Sequence, residues 1–231
     1  MRSFQKLLVG SVPVLFAAVM APLAVAQEKE ADRITEQDKK AFREFMDGRK
    51  QKARLPMVIM NLRQIGLALF EFETEYEKYP CEGTVPMVKE AKRTVADVKA
   101  VTANDCFYQL IAAGIVEQVD IFTLARSPAP GKFGKDKIPP KLEKCAFSSV
   151  FGMNAAGNPS RPLVVAPLVK GKTVFDPNVL GGKAVVLCVD NSVRSFAIEK
   201  DGRVMIEGRD IFDPAQPFWD GKVPPIKWPE D

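Results

Sequence analysis

Across 231 residues the chain carries 33 Lys and Arg against 29 Asp and Glu, a formal charge of +4, with four cysteines and no histidine. A balance this close to neutral gives no electrostatic footing for nucleic acid as a partner. The missing histidine excludes Ser-His-Asp and Cys-His catalysis, and the histidine-bearing zinc hydrolase sites with them.

The chain opens with Arg2 and Lys6, followed by an apolar stretch from Leu7 to Val25 that ends in Ala24-Val25-Ala26 before the polar run Gln27-Glu28-Lys29-Glu30. A basic start, an apolar middle and a small-x-small end predict a cleavable signal peptide over residues 1–26. Pro13 and Pro22 interrupt the stretch, which disfavours a retained anchor. The product expected is periplasmic or secreted. Losing Arg2 and Lys6 leaves a charge balance of about +2, and about 205 residues suit one domain.

Residues 27–52 are dense in charge, with Ile34, Phe42, Phe45 and Met46 as the main apolar interruptions, and read as a solvated helix or arm. Thr35-Glu36-Gln37-Asp38 can cap a helix start. Residues 53–231 are read as one domain. Its clearest periodic signal is Val58, Leu62, Ile65, Leu69, Phe72 and Tyr76, stepping by four and three along one helical stripe. Pro56 suits the first turn of that helix and Tyr79-Pro80 its end. Asn61, Arg63, Gln64 and Glu71 interrupt the apolar run, so no membrane association is expected once the signal is removed. Glu71, Glu73, Glu75 and Glu77 lie off the stripe. Residues two apart on a helix do not face each other, so they predict a solvated face rather than a calcium or acid-pair site.

A weak helix is expected around Val88, Ala91, Val95 and Val98. A second follows, capped by Asn104 and Asp105, carrying Phe107, Leu110 and Ile111 and stopped at Gly114. Residues 127–140 gather Pro128, Pro130, Pro139, Pro140, Gly131 and Gly134, a surface-loop composition. Beyond Cys145 the pattern turns to β: Ala146 to Phe151, Leu163 to Ala166 and Ala184 to Val189, then a meander through Val193 to Ile198 and Arg203 to Ile206. Gly181-Gly182-Lys183 lacks the remainder of a phosphate loop and reads as a turn into the strand. Asp190, Asp201 and Asp210 sit where turns need aspartate, without the alternating ligands of a calcium loop. The tail, residues 212–231, mixes prolines with Phe212, Phe218, Trp219 and Trp228 and should run extended along the surface. Phe218, Trp219 and Trp228 are its candidate partner contacts. The class predicted is α+β, a long N-terminal helix packed on a C-terminal antiparallel sheet with short helices and a Pro-rich loop between.

The cysteines, Cys81, Cys106, Cys145 and Cys188, are even in number and spaced singly. In an exported chain that pattern favours disulfides over a metal site, and no cofactor or metal is expected. Three pairings are open. A nearest-neighbour pairing, Cys81 with Cys106 and Cys145 with Cys188, would stabilise by roughly 3 kcal/mol per bridge.

Two motifs carry a resemblance. Asn61-Leu62-Arg63-Gln64-Ile65-Gly66-Leu67-Ala68-Leu69, followed by Phe72-Glu73-Thr74-Glu75-Tyr76 and Lys78-Tyr79-Pro80, resembles the post-membrane helix of bacterial pseudopilins and other prepilin-type proteins. Val189-Asp190-Asn191-Ser192-Val193-Arg194-Ser195-Phe196 is similar to that group's late hairpin, with asparagine in place of the usual glycine. The resemblance covers about thirty residues of the globular part. It does not extend to the leader, where Gly10 is followed by Ser11-Val12-Pro13-Val14-Leu15 instead of the group's F-T-L-x-E. It implies a pilin-like fold and a non-catalytic structural or assembly role beside other envelope, pilus or secretion-system proteins, self-association included. The alternative expectation is a secreted module that binds a peptide or glycan through the Pro-rich loop and aromatic tail.

Overall fold

The computed structural model describes residues 36–92, 97–124, 141–152 and 154–230. The predicted signal peptide, the charged segment before Glu36 and the whole of the Pro-rich loop lie outside the described residues. The chain divides into two compact units, residues 1–48 and 49–231.

Of the first unit, residues 36–48 are helical and all but the half-buried Gly48 are exposed, as a charge-rich sequence dictates. Lys39 meets Glu36 at 2.9 Å and Lys40 meets Glu44 at 3.9 Å, surface pairs each worth well under about 1 kcal/mol.

The helix α1 (Glu36–Tyr76) runs on into the second unit. Pro56 lies inside it rather than in a first turn, a correction to the predicted boundary. Proline removes one hydrogen bond from the helical ladder, and here its site is exposed, so water can meet the freed carbonyl. Val58, Leu62, Ile65, Leu69, Phe72 and Tyr76 are all 0–3% exposed, so the predicted stripe is core. By length and hydropathy alone α1 could cross a bilayer. Only part of that hydropathy is buried inside the domain, on the face just described.

After α1, a 3-10 turn (Glu82–Thr84) leads into α2 (Val85–Lys92), and α3 (Ala103–Ala112) follows. The cap of α3 is Thr102, not Asn104 or Asp105: its hydroxyl accepts from Asp105 N while Asp105 Oδ2 accepts from Thr102 N. Asn104 is buried and bridges segments instead, its Nδ2 donating to Leu142 O and its Oδ1 accepting from Glu230 N, both at 2.9 Å. Gly114 ends the helix at φ 75°, as predicted.

Four strands form an antiparallel sheet in the order β1 (Ser148–Ser149), β2 (Pro162–Ala166), β3 (Lys183–Cys188), β4 (Val193–Ala197). Side-chain alternation splits the core in two. Val185 and Leu187 join α1, α2 and α3 in a first core, while Ala184, Val186 and Cys188 face a second with Val165, Phe175, Val204 and Ile211. The architecture is α+β with the long helix on one sheet face, as expected.

The predicted third strand of the meander departs from the sheet. Met205–Ile206 (β5) pairs with Arg209–Asp210 (β6) as a small separate hairpin. Its turn, Glu207-Gly208, has φ of 52° and 79°, the two left-handed residues that a tight two-residue hairpin requires. The tail covers the free edge of β1, with Ser149 and Lys227 exchanging backbone bonds of 3.0 and 2.9 Å.

Candidate interaction surface

Glycine at position 66 lets α1 approach the sheet. A Cβ there would lie 2.0 Å from Asn191 Oδ1 and 3.0 Å from Leu187 Cδ1. Asn191 forms the β3–β4 turn at φ 59°, so the two motifs that carry the family resemblance meet at this contact. Asn191 Oδ1 is buried without a hydrogen-bond partner, a polar cost held by the close packing.

With one face of α1 spent on the core, the other is left to solvent. Met60 and Leu67 are each 61% exposed and Phe70 is 64% exposed. Met60, Arg63, Leu67, Phe70 and Thr74 step by three and four along α1, on the side opposite the buried stripe. Spacing of this kind is what a second helix can pack against. Leu67 also walls a hollow of about 380 Å³ with Gln64, Ala68, Glu71, Ile115 and Val116. Glu71, Glu75 and Glu77 are exposed while Glu73 is half-buried and accepts from Ala155 N at 3.4 Å, and among the described residues no group of His, Cys, Asp or Glu is arranged to hold a metal ion.

The aromatic tail lies elsewhere than predicted. Phe218 and Trp219 are buried in the second core, their rings edge to face at 5.2 Å, and Trp219 Nε1 donates to Ile211 O at 2.6 Å. Trp228 is half-buried, its Nε1 donating to Lys172 O at 3.1 Å and its carbonyl accepting from Ala103 N at 3.0 Å. The reason is energetic: large aromatics beside an otherwise uncovered sheet face gain more by burial than by exposure. Adjacent exposed tryptophans, which a glycan or peptide platform would need, are not formed.

The turn aspartates satisfy their own turns. Asp190 accepts from Ser192 N at 2.9 Å, Asp201 from Arg203 N at 3.1 Å and Asp210 from Phe212 N at 2.7 Å. Burial pushes Asp190 up, but Ser192 and Arg194 outweigh it and hold the carboxyl below its usual range. Asp201, about half exposed, is lowered by the backbone and side chain of Arg203. Gly181 and Gly182, at φ of 63° and 77°, turn the chain into β3.

All four cysteines are free thiols in this structure. The nearest-neighbour pairing fails physically in its second half. Cys145 packs against the first core and Cys188 points into the second, so the sheet lies between them. Strand alternation groups Cys188 with Ala184 and Val186, but no periodicity places Cys145, which precedes the short β1 in irregular chain. The sequence also carries the outer seam of α1, in which Met60, Leu67 and Phe70 share a helical face with the polar Arg63 and Thr74. No protein family, curated protein or solved structure matches this chain.

Proposed function

We propose that the chain is an exported, non-catalytic, pilin-like assembly protein of the cell envelope that contacts other proteins of a pilus or secretion system, or its own copies, through the outer seam of α1. The observation that carries this reading is the division of one helix between two tasks. Its inner stripe is buried against a sheet and its outer stripe presents Met60, Leu67 and Phe70 at helix-packing spacing. The meeting of Gly66 with Asn191 supports it further, because it joins the two motifs on which the pilin resemblance rests. The reading of an aromatic binding platform loses its main support with the burial of Phe218 and Trp219.

The test is association of the exported protein measured by sedimentation velocity and by cross-linking in the native host. Leu67→Glu with Phe70→Glu should leave the unfolding free energy within about 0.5 kcal/mol of wild type, because both side chains are exposed. The same pair should abolish the wild-type complexes. A cross-linker at Leu67 that captures nothing absent from a control at Lys200 would defeat the proposal. Intact mass of the same material should begin at Gln27; a chain retaining residues 1–26 would point to an anchored protein.

A further inference from the structure

Three of the four thiols gather on the helix side of the sheet. Cys81 follows α1 and is tied to α3: Gln109 Nε2 donates to Cys81 O at 3.2 Å, and Thr84 Oγ1 donates to Gln109 Oε1 at 2.6 Å. That same hydroxyl oxygen lies 3.9 Å from Cys81 Sγ. Gln109 is one helical turn beyond Cys106, so the two residues share a face of α3 and Cys81 is held against that face. Ser149 faces the same side, being paired across the sheet with Val164 of the first core. It lies beside the Cys106 thiol, and with Cys81 and Lys227 it also lines a cleft of about 360 Å³. Cys145, two residues before Phe147 of the first core, has its sulfur 3.5 Å from Phe147 N and within electrostatic reach of Cys106. Cys188 faces the other core, with Asp190, Ser192 and Arg194 as its polar neighbours.

We propose that Cys106 is the centre of a thiol–disulfide site in which Cys81 is its bonding partner, Cys145 its alternative partner, and Cys188 takes no part. Cys106 is fully buried and Cys81 only half-buried, so the two differ in access. Burial also pushes the Cys106 thiol up to about 11 and that of Cys145 up to about 12, which slows attack by either on an outside reagent. Cys81, at the cleft, is therefore the thiol that an oxidant reaches first. The Cys81 thiolate attacks one sulfur of a disulfide oxidant and expels the other as a thiolate. Cys106 then loses its proton and attacks Cys81 Sγ, expelling the second thiolate. Two protein thiols are oxidised to one bridge, and the oxidant's disulfide is reduced to two thiols. Lys222 and Lys227 at the cleft favour an anionic disulfide.

The experiment uses the whole exported protein, reduced and then exposed to oxidised glutathione, with thiol counting by alkylation and peptide mapping without reduction. Two of the four thiols should disappear, and the linked peptides should be those of Cys81 and Cys106. Cys188→Ser should leave rate and map unchanged. Cys81→Ser should slow oxidation at least about tenfold and divert the bridge to Cys106 with Cys145. A bridge that includes Cys188, a bridge of Cys81 with Cys145, or four thiols persisting in excess oxidant would overturn the proposal. Because the wild type and Cys188→Ser decide the pairing by themselves, a poorly folded Cys81→Ser would not rescue it.

Discussion

The two faces of the sheet are covered by different kinds of structure. On one face lie helices, above all α1, whose apolar residues recur every three or four positions and pack as a regular layer. On the other lie a two-residue hairpin, irregular chain and the tail, which contribute Val204, Ile211, Phe212, Phe218 and Trp219 from positions without a period. Both faces bury large side chains almost completely. A core built by helices announces itself as periodicity, whereas a core built by loops relies on a few large aromatics held by specific turns.

The strongest way to break this comparison is to hollow each face in turn. Phe72→Ala and Trp219→Ala should each cost about 3–5 kcal/mol, since both side chains are buried among apolar neighbours. Urea unfolding followed by helical circular dichroism and by tryptophan fluorescence separates two outcomes. Coincident transitions in both variants mean that the faces fold as one unit. In Trp219→Ala, loss of the Trp228 signal before helix would mean that the loop-built face opens by itself.

A smaller effect sharpens the contact between helix and hairpin. Gly66→Ala gains helix propensity of about 1 kcal/mol but drives a methyl into Asn191 and Leu187, for an expected net destabilisation of about 1–2 kcal/mol. Asn191→Gly removes the nearest obstructing atoms and suits φ 59°, so the double variant should recover most of the loss. Additive losses would mean that Gly66 is needed for something other than room.

The smallest effect is in alkaline pH. Burial, with Glu75 beside it, pushes Tyr76 up to about 12, and burial with Glu73 does the same to Tyr79. In the unfolded chain both titrate near 10, so between about pH 10 and 12 the folded state holds the more protons. Their stabilising contribution is complete below pH 10 and is lost as pH rises through that window. Tyr76→Phe with Tyr79→Phe should therefore flatten the fall in the unfolding midpoint above pH 10, with phenolate absorbance marking the onset of titration. An unchanged slope would mean that other groups govern alkaline unfolding.

The inner stripe of α1, the strands at Leu163 to Ala166 and Ala184 to Val189, the stop at Gly114 and the turn at Asn191 were all legible locally. Each is a matter of side-chain period or of one residue's backbone preference, and such preferences act over a few positions. The outer seam at Met60, Leu67 and Phe70 was a weaker pattern, interrupted by Arg63, and its significance depended on knowing which face the sheet would take. Tertiary structure alone decided that β5 would turn back on β6, that Phe218 and Trp219 would go inside, and that Cys106 would sit with Cys81 and Cys145 while Cys188 faced away. These outcomes depend on which surface is left uncovered after the helices and sheet have met. A stretch of sequence specifies its own backbone preferences, but burial depends on partners that lie tens of residues away.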